Sequence, residues 1–243
     1  MVGKTKTKTV LVTGASRGLG LEFVRQYIND GWNVIATSQR PEKATALKRM
    51  IADGAPLQLF QLDVTDATSV TRLGKGLKGR TIDVLINNAG ILLEGGRKLA
   101  GGFDIARATD DQFIATFRTN TLGPLRVIEA LGANVKKAGG KVINISSTAG
   151  SIALAGDFSA QFPAYGASKA ALNFIGTIAA QLLAKHKIPV VNFCPGWVRT
   201  EMGGKNAPLS ADQSVTALRK TIAKLTIKDT GRFVDRNGKD IPW

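Results

Sequence analysis

Short apolar runs that alternate with longer helical patterns constrain this chain more than any other feature. Runs of strand length lie at Val10 to Val12, Val34 to Ala36, Leu57 to Leu62, Val84 to Ile86, Lys141 to Ile145, Val190 to Phe193 and Arg232 to Val234. Helical patterns fill the gaps. This order predicts parallel strands joined by right-handed crossovers, with helices on both faces of one sheet. Helix starts carry capping signals: Pro41-Glu42 in a first turn, Thr65 and Thr109 ahead of acidic residues, and Ser210 before Ala211-Asp212. The expected fold class is α/β, a doubly wound parallel sheet of about seven strands in a single domain over residues 1–243. Ligands of such a sheet bind beyond the carboxyl ends of the strands, which is where the unusual residues of this sequence fall.

Composition narrows the function. With 243 residues, 44% of them hydrophobic, the chain can bury one large core. No apolar stretch reaches the roughly 20 residues of a membrane span, so no membrane partner is expected. Residues 1–8 alternate lysine and threonine without an apolar block and read as a flexible basic tail; a cytoplasmic location follows, against an organelle-targeting alternative that the lack of arginine disfavours. The one cysteine, Cys194, excludes a disulfide framework and a cysteine-rich zinc site, and its apolar run marks it as a buried thiol. The one histidine, His186, sits between Lys185 and Lys187 at a helix end, so a Ser-His-Asp hydrolase and a histidine-ligated metalloenzyme both lack their central residue, and no metal is expected. A net charge of +15 invites polyanion binding, but the lysines and arginines are scattered and no aromatics interleave with them. No specific nucleic-acid partner is expected.

Two local patterns carry chemistry. Tyr165 and Lys169 are four residues apart and share one helix face. A free phenol titrates near pKa ~10, and a cation held beside it favours the phenolate, which predicts a value moved toward neutrality. The run Thr13-Gly14-Ala15-Ser16-Arg17-Gly18-Leu19-Gly20 follows a strand and precedes a helix. Glycines there let the backbone approach a pyrophosphate, and the helix N-terminus offers unpaired N–H groups and the positive end of a dipole.

Further along come Asn87-Asn88-Ala89-Gly90 after the fourth run, Asn120 in a helix, and Ser146-Ser147-Thr148-Ala149-Gly150 after the fifth run. With the glycine turn and the Tyr165, Lys169 pair, these resemble the short-chain dehydrogenase/reductase family in type, order and approximate spacing, over residues 9 to about 200. The resemblance implies a Rossmann-type fold. The segment Pro195-Gly196-Trp197-Val198-Arg199-Thr200-Glu201-Met202-Gly203-Gly204 and the ending Gly231 to Gly238 resemble its C-factor-like and sniffer-like carbonyl reductase branch. Carried over by position, the family makes Tyr165 the general acid and has Lys169 lower its pKa and bind the nicotinamide ribose. Ser147, rather than Ser146, orients the substrate oxygen, and Asn120 holds a water that links Lys169 to solvent. The interval from Ser147 to Tyr165 is longer than is usual in the family, which places an insertion at Ser151 to Pro163.

The same resemblance assigns the cofactor. Gly14, Ser16, Arg17, Gly18, Leu19 and Gly20 would receive the pyrophosphate side of a dinucleotide. The second strand ends in Thr37-Ser38-Gln39-Arg40, without the carboxylate that favours a free ribose 2′-hydroxyl, so Arg17 and Arg40 are expected to meet a 2′-phosphate and NADP(H) is favoured over NAD(H). Asp63 and Val64 are assigned to the adenine, and Asn87, Ala89 and Gly90 to the adenine-ribose side. Val198 and Thr200 are assigned to the carboxamide and phosphates, in a turn shaped by Pro195 and Gly196. Leu92, Leu154, Phe158, Phe162, Trp197 and Met202 are expected to line the substrate pocket. The implied activity is reduction of a small-molecule aldehyde or ketone to the alcohol. A dinucleotide-binding regulatory or signalling protein with little turnover is the alternative, and a basic interaction protein a third reading. The helices from Asp110 to Lys137 and Tyr165 to Lys185 carry apolar residues beyond one face, which suits a homodimer or homotetramer.

Overall fold

The computed structural model describes residues 7–94, 108–156 and 161–243. Strands β1 (Thr9–Val12), β2 (Asn33–Ser38), β3 (Leu57–Gln61), β4 (Val84–Asn87), β5 (Lys141–Ile145), β6 (Val190–Cys194) and β7 (Phe233–Asp235) form one sheet in the order 3-2-1-4-5-6-7. Every pairing is parallel, in registers such as Val12↔Ala36 and Ile86↔Ile143. The order reverses between β1 and β4, which opens a crevice at their carboxyl ends.

Side chains alternate across the pleat, and this divides the core in two. Val10, Val12, Val34 and Ala36 pack with Phe23 and Tyr27 of α1 (Gly18–Asn29), Leu47 of α2 (Thr45–Ala52) and Leu218 of the late helix Ala211–Lys224. Leu11, Ile35 and Leu85 point the other way, onto Val70 and Leu73 of α3 (Ala67–Gly76), Val127 and Leu131 of α5 (Gly123–Ala138), and Ala179 of α6 (Pro163–Ala184). We label Asp110–Phe117 α4 and Ala211–Lys224 α7.

Thr109 and Ser210 cap α4 and α7 with full capping boxes, as their sequences suggest. Two expectations are corrected. Thr65 does not cap α3: its hydroxyl donates to Asp63 Oδ1 at 2.7 Å, and the adjacent Asp66 accepts from Thr68 N instead. The helix expected to run unbroken from Asp110 to Lys137 is interrupted by a π-helical turn at Arg118–Leu122. Gly123, just after that turn, packs so closely against Val64 that a Cβ on it would lie 2.8 Å from Val64 Cγ2. No helix among the described residues is long and apolar enough to cross a membrane.

Candidate active site

The carboxyl ends of β1, β4, β5 and β6 gather the chemistry. At β1 the glycine turn is drawn tightly against the β4 exit. Gly14 takes φ +64°, and a Cβ there would lie 2.8 Å from Ala89 Cα; at Gly20 it would lie 2.3 Å from the Gly14 carbonyl oxygen. Only glycine fits either place. Asn88, which the sequence reading left without a role, ties the two segments: its Nδ2 donates to the carbonyls of Thr13 and Gly14 at 2.9 and 3.1 Å. Helix α1 then begins at Gly18, and its N-cap residue Arg17 contributes no side-chain acceptor. The first N–H groups, on Gly18, Leu19 and Gly20, therefore lack an intrahelical partner and face a ready anion site. Ser16 and Gly18 are half-buried on its rim, while Leu19 packs onto the core.

At β5 the two serines divide their work. Ser146 is buried and donates to Asn173 Oδ1 at 2.7 Å, a purely internal bond. Ser147 stands at the strand exit, where its Oγ accepts from Ala149 N at 3.1 Å and its hydroxyl lies near enough to the Tyr165 phenol to lower its pKa. Helix α6 delivers Tyr165 and Lys169 onto this exit. Lys169 is buried, donates from Nζ to the Ile145 carbonyl at 2.8 Å, and lies 5.6 Å from the centre of the Tyr165 ring.

The electrostatics reverse one expectation. Burial pushes the Tyr165 phenol up to about 12, with the Ser147 hydroxyl pulling back. Burial also pushes the Lys169 ammonium down to about 8. Spacing on a helix predicted mutual support between the two charges. In the folded protein, desolvation penalises both charged forms and is the largest cause of each shift.

Asn120 is buried in the π-helical turn. Its Oδ1 accepts from Ile91 N at 2.8 Å, and its Nδ2 donates to the Ile91 carbonyl at 2.9 Å and to Ser168 Oγ at 3.0 Å. The side chain is spent on the scaffold. It still belongs to the cluster, because a Cβ on Gly90 would sit 3.2 Å from Asn120 Oδ1 and 3.7 Å from Lys169 Nζ.

On the adenine side, Asp63 accepts from Thr65 N and from Gln39 Nε2, both at 2.8 Å. Partial burial opposes its ionisation, yet the hydrogen bonds from Thr65 and Gln39 hold its carboxyl below the usual range. Ser38 Oγ accepts from Arg40 N at 3.2 Å. Val64 is buried. Asn87, expected beside the adenine ribose, turns its side chain into the sheet and donates to Asn144 Oδ1 at 2.9 Å; Asn144 donates in turn to Asn192 Oδ1. Adjacent strands in register place these asparagines side by side, so their amide donors are satisfied along the row, while Asn87 Oδ1 is left without a hydrogen-bond partner.

The loop after β6 closes the crevice. Pro195 is fixed through its carbonyl to Ser214 Oγ, Val198 is buried and bridged to Leu209, and Thr200 lies against Gly18. Gly196 adopts φ +82°. Arg17, expected to be available to a phosphate, is paired with Glu201 of this loop. Of the expected pocket residues, Leu154, Trp197 and Met202 are exposed, together with Leu93 and Ile152, and Leu92 and Phe162 are half-buried. Phe158 lies outside the described residues. The described start of the insertion is held from the far end of the chain: Ser151 Oγ donates to the Pro242 carbonyl at 2.6 Å and Ala153 N to the Trp243 carbonyl at 2.8 Å. Among the described residues no group of three or more potential ligands could hold a metal.

An uncapped helix N-terminus at the switch point of a doubly wound sheet, with a Ser, Tyr, Lys cluster at the exit of a neighbouring strand, marks an α/β protein of the Rossmann type. The chain belongs to the short-chain dehydrogenase family of oxidoreductases, whose family model matches residues 8–209. Among its relatives is C-signal of Myxococcus xanthus, 37% identical over 163 residues that cover 67% of this chain and 93% of that protein. Among solved structures, the carbonyl reductase Sniffer of D. melanogaster superposes with a TM-score of 0.88 at 29% identity, covering 98% of this chain and 100% of that one. The NADPH-bound carbonyl reductase from chicken fatty liver superposes with a TM-score of 0.86 at 32% identity, with the same coverage. The branch read from Pro195 to Gly204 and from the chain's ending is thus borne out.

Proposed function

We propose that the protein is an NADPH-dependent reductase that converts an aldehyde or ketone with an apolar body into the alcohol. The observation that carries this reading is the convergence of Ser147, Tyr165 and Lys169 beside a glycine turn whose helix N–H groups are uncapped. The same turn fits the dinucleotide, since a side chain at Gly14 or Gly20 would fill the place where its backbone folds back on itself. When bound, the reduced nicotinamide supplies the hydride to the carbonyl carbon. The Ser147 hydroxyl orients the carbonyl oxygen and stabilises its growing negative charge. Tyr165 then gives its proton to that oxygen. A phenol raised to about 12 stays protonated throughout the neutral range and is still far more acidic than an alcohol, so the transfer runs downhill toward reduction. Lys169, at about 8, exchanges protons near neutral pH and can return one to the phenolate. The exposed Ile152, Leu154, Trp197 and Met202, on loops leaving adjacent strands, supply the apolar walls.

The direct test is oxidation of NADPH and NADH followed at 340 nm with aldehydes, diketones, quinones and cyclic ketones. Turnover with NADPH supports the reductase. Tight NADPH binding with no turnover on any carbonyl would favour a regulatory dinucleotide sensor, a reading to which similarity with C-signal lends some weight.

Selectivity for NADP(H) rests on Arg17 exchanging Glu201 for the 2′-phosphate. Both side chains are largely solvated, so the existing pair is weak and readily displaced. Arg17→Ala should weaken NADPH about tenfold and leave NADH nearly unchanged, and Glu201→Gln should tighten NADPH a few-fold, measured by cofactor fluorescence titration. Equal effects on both cofactors would remove Arg17 from the 2′-phosphate.

The assembly proposed is a homodimer or homotetramer through α4, α5 and α6. Phe174, Ile178 and Leu182 form an exposed apolar stripe at four-residue intervals on α6, and Ile114 and Leu122 are exposed nearby in sequence on α4 and the π-helical turn. Phe174→Glu should shift sedimentation toward monomer. An unchanged profile would place the interface elsewhere.

A further inference from the structure

The first turn of α6 presents an unusual account of its backbone donors. Pro163 at its first position has no N–H, and Gly166 N bonds back to the Phe162 carbonyl at 2.8 Å. That leaves the N–H groups of Ala164 and Tyr165 without intrahelical partners, and the N-cap position, Phe162, supplies no side-chain acceptor. Both donors are taken by one carboxylate from a distant part of the chain. Glu94 Oε1 accepts from Ala164 N at 2.6 Å, and Glu94 Oε2 accepts from Tyr165 N at 2.9 Å. Each oxygen serves one donor, the bonds are charge-assisted, and the negative charge sits at the positive end of the helix dipole.

We propose that Glu94 is a positioning residue for Tyr165, clamping the backbone of the acid to the segment that leaves β4. This rests on the reading of Tyr165 as the general acid. The clamp acts where the phenol is most sensitive. Tyr165 is only the third residue of its helix, and a frayed first turn would swing its side chain away from Ser147 while the rest of α6 stays packed on β6. Its partner segment carries Leu92 and Leu93 and continues from Ile91, which Asn120 holds by both backbone groups. Tyr165 is thereby registered against the substrate side of the site through Glu94 and against the scaffold through Asn120 and Ser168.

The test compares Glu94→Ala and Glu94→Gln in the full-length protein. Glu94→Ala should lower kcat for carbonyl reduction by about 10- to 100-fold, the scale of a misplacement near 1 Å, while the Kd for NADPH stays within twofold. The solvent deuterium isotope effect on kcat should rise, because proton transfer becomes slower relative to the other steps. Glu94→Gln keeps one acceptor oxygen of the same reach but sets an NH2 against the second donor, and should recover only part of the lost rate. Wild-type kcat in Glu94→Ala, or parallel loss of kcat and NADPH affinity in both variants, would overturn the proposal. Tyr165→Phe assayed alongside separates the two levels of argument. If Tyr165→Phe is inactive and Glu94→Ala is fully active, only the positioning role fails; if Tyr165→Phe keeps turnover, the general-acid reading fails and takes this inference with it.

Discussion

Tyr165→Phe is expected to lose carbonyl reduction by about 10²- to 10⁴-fold, the usual worth of a positioned general acid, and to bind NADPH as the wild type does. The substitution removes one hydroxyl and leaves the ring in place, still beneath Lys169 at 5.6 Å. No hydrogen bond to the Tyr165 hydroxyl is present in the described structure, so the fold should change in stability by no more than about 1 kcal/mol. Single-turnover rates with NADPH and a reactive aldehyde, set beside a fluorescence titration of the cofactor, give the answer. Near-normal turnover would remove Tyr165 from the mechanism. The raised phenol value gives the result a direction. Reduction needs the protonated phenol, which persists almost to pH 12, whereas alcohol oxidation needs the phenolate and should climb through the alkaline range in the wild type.

The architecture was legible in the sequence because buried parallel strands cannot disguise themselves: with helices on both faces, each becomes an almost continuous apolar run, as in Val10-Leu11-Val12 and Val190-Val191-Asn192-Phe193. The chemical core was legible because its spacing is local. Tyr165 and Lys169 share a helix face, and Ser147 directly follows a strand. What stayed hidden depends on contacts across the chain. Nothing around Glu94 announces that it will cap a helix beginning at Pro163, and nothing around Arg17 announces Glu201. Asn87 and Asn88 are neighbours of one type, but the pleat sends Asn87 into the sheet and frees Asn88 to hold the glycine turn. The titration of Tyr165 followed the same logic. Sequence spacing shows the cation, while the depth of burial that overrides it is a property of the assembled core.

That burial leads to the second large effect, in which function and stability move in opposite directions. Lys169 titrates at about 8 in the folded protein, against 10.5 for an ordinary lysine. Between those values the unfolded chain holds a proton that the folded chain has released, so stability rises with pH across this window, and below pH 8 the folded state bears the full cost of burying the charge. The shift corresponds to about 3 kcal/mol at neutral pH as an upper figure. Lys169→Met keeps the aliphatic stem and discards the ammonium. It should raise the melting temperature at pH 7 by roughly 5 to 10 °C, with the gain shrinking to nothing by about pH 10.5. The same variant should lose reduction by at least about 10²-fold, because the mechanism proposed above assigns proton return to Nζ. Thermal unfolding at pH 7 and at pH 10.5, with activity measured on the same samples, tests both halves. A melting temperature at pH 7 that falls would show that the bond from Nζ to the Ile145 carbonyl more than compensates for desolvation. A rise confined to the pH range where the ammonium exists would mark Lys169 as a charge retained for catalysis at the expense of stability.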